Sequence, residues 1–407
     1  MRIVFFLLML CLISCGNQSF HHSEIPTPTE SAKKSFPLAS IYSDPIANQI
    51  KKAANLKSLF EFEQAIKLQT PQPLVLGQAT DILHVDDHWF VLDNLTKQVF
   101  KFNHDGSYIQ HFGGEGQGPG ELTYPKCMRL CFDGLIGVGD PYQGSISLFT
   151  QDGKFVRKSH PSASDMSFMP RYAFSWDHPD ELVLPAFSSQ NPEAPQHAVL
   201  DATNREQTLR FGFGMRVEPV ERALQKGVAI KAYTAFEKIG DRFWTGSPYH
   251  TWLSVYDNQG RLLTQLGKKA PRDPEVMLTP DHYQNLDTMS RPDRHLRQTI
   301  LKKAANSKIA RVGNLVLSQM GHYTDVYDIH GNPLAYNKSS GILRIAHTYQ
   351  DRLVVSFHAG VDLQKIDHLP IREALKSHDY QFDDNPYLLV FKLKPMTTEL
   401  SRLNPNQ

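Results

Sequence analysis

Three histidines recur beside aromatic or turn residues: His250 after Pro248-Tyr249, His322 before Tyr323, and His358 after Phe357. Imidazoles hold transition metals and move protons near neutral pH, so several converging on one point would make a metal-dependent centre. A second set, Tyr142, Arg171, Tyr172, Tyr249 and Tyr323, offers flat apolar area with a few donors. That chemistry suits sugars, peptides or aromatic compounds. The sequence holds no H-E-x-x-H, no G-x-S-x-G and no EF-hand loop, so none of these residues sits in a motif that dictates a reaction.

The run Gly113-Gly114-Glu115-Gly116-Gln117-Gly118-Pro119-Gly120 also invites a chemical reading. A dinucleotide fingerprint needs G-x-G-x-x-G between a strand and a helix. Here Pro119 and Glu121 break the spacing, Tyr124-Pro125 leads into a strand, and no Gly-Lys-Ser/Thr follows. The glycines therefore read as positive-φ turns in a crossing segment, not as a phosphate cradle.

The elements that must carry these residues are short strands. An apolar strand followed by Asp-Gly appears as Val99–Phe102 with Asp105-Gly106, and again as Ile146–Phe149 with Asp152-Gly153. Weaker copies are Leu253–Tyr256 before Asn258-Gln259-Gly260, and Asp325–Tyr327 before His330-Gly331. An all-strand repeat of about 45–70 residues predicts a radial array, a β-propeller. Five four-stranded blades begin near Thr80, Cys127, Tyr172, Tyr233 and Lys308. A sixth has strands at 342–347, 352–357 and 387–392 and lacks a fourth. The isolated strand 60–68, with Phe60, Phe62, Ile66 and Leu68 on one face, is predicted to supply it and close the ring. The propeller then spans 59–395, with a polar tail at 396–407. Helical insertions are expected after Thr279-Pro280, from Ser290 to about Ala305, and within 359–386.

With each blade's first strand innermost, the joints between blades and the loops from second to third strand open on one face. That face, the mouth, should gather Asp93-Asn94, Asp140 to Gln143, Arg171, Tyr172, Tyr249, His250, His322, Tyr323 and His358, with both large insertions as lids. Asp93 and Asp140 also suit a plainer role, capping the turn after their strand.

The termini and bulk composition set the setting. Arg2 precedes an apolar run from Ile3 through Ile13, about half the length of a membrane-crossing helix. The ending Leu12-Ile13-Ser14-Cys15 resembles the lipobox of bacterial lipoproteins. That resemblance makes 1–15 a signal peptide, Cys15 the lipidated residue, and the membrane a partner through the anchor. Residues 16–58 read as a polar tether followed by a short helix from Pro45 to about Ser58, with Asp44 as its cap. Of the four cysteines only Cys127 and Cys131 then remain. In an extended strand they sit about 13 Å apart, too far for a disulfide. The formal net charge of +1 provides no global field for nucleic acid.

The segment Phe112 to Leu122 with Tyr124-Pro125, preceded by Phe90–Asn94 and Asp105-Gly106, resembles the inter-blade joint of NHL-type repeats. The chain is similar in outline to six-bladed β-propeller lipoproteins of bacteria, over roughly residues 60 to 395. The resemblance implies a cell-envelope protein, periplasmic or surface-exposed, that binds a small molecule, glycan or protein through its mouth. The alternative it brings is a metal-dependent propeller lyase or lactonase with His ligands at the hub; the sequence names no cofactor.

Overall fold

The repeated hairpin is one turn geometry used four times. Gly106, Gly153, Gly260 and Gly331 have φ of 87°, 76°, 78° and 95°. Their amides donate to the carbonyls of Asn103, Thr150, Asp257 and Asp328 at 2.9–3.1 Å. In each hairpin the ladder slips just before the turn, for example between Lys101 and Phe102, and the β-hairpin closing at Gly331 slips a second time. This is a type I turn closed by a glycine bulge, and the left-handed residue explains why glycine recurs there. At Gly106 a Cβ would also lie 2.2 Å from the Lys67 carbonyl oxygen.

The computed structural model describes residues 44–161, 167–168, 173–187, 197–202, 208–213, 235–246, 253–267, 308–320, 323–340, 344–357, 366, 368–378, 380 and 385–395. It is a six-bladed β-propeller. Strand β1 (Phe60–Lys67) follows helix α1 (Asp44–Lys52). Blade one comprises β2 (Ala79–Val85), β3 (His88–Asp93), β4 (Gln98–Asn103) and β5 (Tyr108–Gly113). Blade two comprises β6 (Cys127–Leu130), β7 (Ile136–Asp140), β8 (Ser145–Phe149) and β9 (Phe155–Ser159). Blade three has β10 (Ser167–Phe168), β11 (Ser175–His178), β12 (Glu181–Phe187), β13 (His197–Asp201) and β14 (Thr208–Phe213). Blade four has β15 (Ala235–Ile239), β16 (Arg242–Gly246), β17 (Leu253–Tyr256) and β18 (Leu262–Leu266). Blade five has β19 (Lys308–Val312), β20 (Leu315–Met320), β21 (Tyr323–Asp328) and β22 (Pro333–Ser339). Blade six has β23 (His347–Tyr349), β24 (Arg352–Phe357) and β25 (Tyr387–Leu393).

The sixth sheet runs β1-β25-β24-β23. Strand β1 lies antiparallel to β25, from Phe60 opposite Leu393 to Lys67 opposite Tyr387. The expected closure by an early strand is therefore the one the molecule uses. Neighbouring blades share apolar cores. Ile66 of β1 packs with Trp89 and Phe100 of blade one and Val354 and Leu388 of blade six. Leu92 and Val99 meet Val138 and Phe149 of blade two. Blade strands bury both faces this way, which is why β7 and β8 are buried at every position.

Asp93 and Asp140 fix which loops share a face. Both are fully buried. Asp93 Oδ1 accepts the Leu95 and Thr96 amides at 2.7 and 3.0 Å, and Oδ2 accepts those of Gly77 and Gln78. Asp140 repeats this with Tyr142 and Gln143 at 3.1 Å and with Thr123 and Tyr124 at 2.6 and 2.9 Å. Each carboxylate thus caps its own turn and also ties it to the joint entering the blade. In blade five Gln319 plays a related part, accepting the Ile345 amide at 3.0 Å.

Some borders differ from the sequence reading. The described first strand of blade six covers His347–Tyr349, and just before it the Ile345 amide donates to the Gln319 side chain; Ile342 lies outside the described residues. The first helix stops at Lys52, and a 3-10 turn over Leu56–Leu59 follows, capped by Asn55 Oδ1 accepting the Ser58 amide at 3.0 Å. The insertion within 359–386 does not place its described helix over the mouth. Helix α2 (Leu369–Ser377) buries Ile371 and Leu375 in one core with Phe60 and Tyr387, against the outer strand of blade six. The insertions around 279 and 290–305 lie outside the described residues.

Candidate functional site

First strands, and residues just before them, from all six blades surround an axial cavity of about 210 Å³. Ala79 to Ile82, Lys126 and Arg129, Ala173, Ala235 and Phe236, Lys308 and Ile309, and Ile345 and Ala346 line it. Nearly all belong to the beginnings of first strands or the residues just before them, so the cavity occupies the mouth-side half of the hub. Its chemistry comes from ionisable residues set into otherwise apolar strands. Asp81, the third residue of β2, is 9% exposed. Its Oδ2 accepts the Met128 amide at 2.9 Å and Arg129 Nη1 at 3.0 Å. The same Arg129 nitrogen donates to the Met128 carbonyl at 2.7 Å. Lys308, the first residue of β19, donates to the Ala346 carbonyl.

The electrostatics couple across the ring. Burial works against the Arg129 charge, but Asp81, Cys127 and Glu237 together outweigh it and hold the guanidinium above its ordinary value. Burial pushes the Lys308 ammonium down, and the Asp81 and Glu237 carboxylates oppose that shift. Burial raises Glu237, the third residue of β15, against the pull of Arg129 and Lys308. Two acids and two bases thus surround one axis at reduced solvation, a pattern typical of functional clefts. The sequence reading missed them. The available signal was a charged residue set into the otherwise largely apolar first strand of blades one, two, four and five.

Buried neutral histidines flank this region and make stability depend on pH. Burial, then Lys308, Arg129 and His84, holds His347 well below its usual range. The His84 amide donates to His347 Nε2 at 3.2 Å, so that nitrogen keeps its lone pair. Burial alone lowers His197 to about 3. The unfolded chain binds protons at these two sites below pH 6.5 while the folded chain does not, so stability falls as pH drops through that window. By pH 5 His197 alone removes about 2 kcal/mol, and His347 acts in the same direction. Thermal melts at pH 7.5 and pH 5 should show a drop of several degrees, and the double His197→Phe/His347→Gln variant should lose much of that difference.

The glycine-rich joint is structural in its contacts. Lys158 Nζ donates to the carbonyls of Gln117, Gly118 and Glu121 at 3.3, 3.0 and 3.1 Å. The Gly118 amide donates to Glu121 Oε2 at 2.8 Å. A phosphate cradle presents free amides instead. Cys127 and Cys131 are buried free thiols, both pushed up to about 12 by burial.

Of the residues expected at the mouth, Tyr142 and Tyr323 are described. Tyr142 stands on the loop from second to third strand and Tyr323 is the first residue of β21, 75% and 46% exposed, and Leu95 lies on the matching loop of blade one at 66%. Asp93, Asn94 and Asp140 are buried. Arg171, Tyr172, Tyr249, His250, His322 and His358, like Cys15, lie outside the described residues.

The comparisons agree with this architecture. The family model DUF5128, described as a 6-bladed beta-propeller, matches residues 43–130. A Bacteroides fragilis protein described as exported is 13% identical, with a TM-score of 0.54 over 84% of this chain and 98% of that one. A duf4221 family member from Bacteroides vulgatus is 12% identical, with a TM-score of 0.52 over 84% and 99%. At these identities the likeness concerns the fold. No curated protein matches the chain. No helix among the described residues is long and apolar enough to cross a membrane.

Proposed function

We propose that this protein is an envelope binding module, exported and tethered through Cys15, whose hub captures a small charged molecule entering from the mouth. The observation that carries this reading is the set Asp81, Arg129 and Lys308 lining the axial cavity, with Glu237 electrostatically coupled to Arg129 and Lys308. Burying four ionisable groups where apolar ones would pack is a poor way to gain stability. Their use is recognition of a ligand with charges of both signs. Size narrows the class. A cavity of about 150 Å³ accommodates benzene, whereas pockets for drug-sized ligands start near 300 Å³. At about 210 Å³ the hub suits a molecule of amino-acid or amino-sugar size, not an extended peptide or oligosaccharide. The exposed Tyr142, Tyr323 and Leu95 form a rim that such a ligand passes.

A panel of free amino acids, amino sugars and uronic acids tested by thermal shift and calorimetry examines this directly. At least one zwitterionic member should raise the melting temperature of the native protein. Lys308→Met should weaken that binding by about tenfold or more, the cost of one lost charge-assisted contact. A panel without a binder, or a binder indifferent to Lys308→Met, would contradict the assignment.

A further inference from the structure

A second cavity of about 210 Å³ opens on the face opposite the mouth, at the seam where β1 and blade six meet blade one. Its walls include Glu63, His84, Asp87, His104, Tyr349 and Arg352. His84 closes β2, Asp87 sits in the β2–β3 turn, and His104 in the β4–β5 turn. One donor atom from each of these three residues lies within 4.8 Å of the others. We propose that His84, Asp87 and His104 bind a divalent transition-metal ion of the zinc type, with the cavity supplying its remaining coordination position.

Several independent features point the same way. The Nε2 atom of His84 is buried without a hydrogen-bond partner, as is the hydroxyl of Tyr349 stacked on the same ring at 4.2 Å. A buried polar atom left unpaired costs about 1–3 kcal/mol, and an ion coordinated by the imidazole removes that cost. The ring is also held in place, tilted against Trp89 at 4.4 Å, so its direction into the cavity is set before any ligand arrives. The turn that presents Asp87 is built at a cost. Asp86 and Asp87 have φ of 46° and 61°, left-handed positions where Asn-Gly or Asp-Gly is usual. The charge of Arg352 beside the site is offset in part by Glu63, which binds it at both Nε and Nη2 at 2.8 Å.

The ligand chemistry selects the metal class. Two imidazoles and one carboxylate suit zinc, nickel, copper or iron and not calcium or magnesium, which take mainly oxygen ligands. Bonds of about 2.0–2.2 Å set tetrahedral donors roughly 3.3 Å apart. His104 and Asp87 are exposed and on turns, so rotation of their side chains can close the remaining gap. His104 Nε2 faces the Gln64 amide nitrogen at 3.4 Å, the contact it would exchange for the metal. Three protein ligands with one position left open is the arrangement of metal sites that also take water or substrate.

The test uses the purified chain after chelator treatment, titrated with Zn²⁺ by calorimetry and with Co²⁺ by visible absorption. One ion should bind per chain, and Co²⁺ should give ligand-field bands of a four-coordinate nitrogen–oxygen site. Asp87→Gly removes the carboxylate but fits the left-handed backbone, and His104→Gln alters an exposed ring, so both variants should fold. Each should weaken Zn²⁺ by at least about tenfold, and the double variant should abolish the Co²⁺ bands. An absence of one-to-one binding, or full affinity in the double variant, would overturn the proposal. The hub ligand panel is unaffected by either outcome.

Discussion

Asp81→Ala should be among the most destabilising single substitutions in the hub. The change removes Oδ2, which accepts hydrogen bonds from the Met128 amide and from Arg129 Nη1 between blades one and two. It leaves the guanidinium partly buried, facing Lys308 across the axis without its counter-charge. Breaking a buried pair from one side typically costs about 3–5 kcal/mol. Arg129 keeps 24% side-chain exposure, which places the expected loss near the lower end, at about 3 kcal/mol. The double variant Asp81→Ala/Arg129→Met removes the orphaned charge as well and should recover much of that loss. The residual deficit, about 1 kcal/mol, reflects the unpaired Met128 amide. Urea unfolding of the two single variants and the double gives the coupling directly. Simple additivity of the single effects would mean that the two charges do not share one environment.

Removing β1 has the larger consequence. A chain beginning at Gln69 loses Phe60, Ile66 and Leu68, each at most 5% exposed in the intact molecule. Burial of side chains this size contributes about 1.5–3 kcal/mol each, so about 5–9 kcal/mol disappears from a total of about 5–15. The ion pair between Glu63 and Arg352 is lost as well. Strand β25, buried along Tyr387 to Phe391, becomes an open apolar edge. The truncated chain should show no cooperative melt and should elute as aggregate in gel filtration, while the chain beginning at Asp44 behaves as a folded monomer-sized species.

The ring itself was legible because turns demand particular residues. Gly106, Gly153, Gly260 and Gly331 stand where only a left-handed residue closes the bulge, so their spacing announced the blades. The apolar residues of 60–68 likewise announced a strand seeking a distant partner, but they do not share one face as expected: a bulge between Phe62 and Gln64 turns Phe60 and Phe62 into one core and Ile66 and Leu68 into another. The hub was hidden for a related reason. Asp81, Arg129, Glu237 and Lys308 are ionisable residues in strands of four to seven residues, too short for a period to expose them. They become a set only when the ring brings first strands together. His84, Asp87 and His104 were invisible on the same ground, since two separate turns of blade one assemble them on the far face. Sequence reasoning searched for histidines at the mouth, where loop length makes side chains conspicuous, and the buried orphan imidazole lies at a strand end.

Both proposed sites depend on the seam at which β1 joins the last blade. The hub needs all six first strands in one circle, and the second cavity takes Glu63 and Gln64 from β1 itself. Native-state hydrogen exchange, read by mass spectrometry on the intact protein, tests that seam without perturbing it. The β1 amides paired with β25 should exchange only through global unfolding, as slowly as those of Tyr387–Leu393. Rapid exchange across Phe60–Lys67, with β24 and β25 still protected, would show an open ring and remove the basis of both sites.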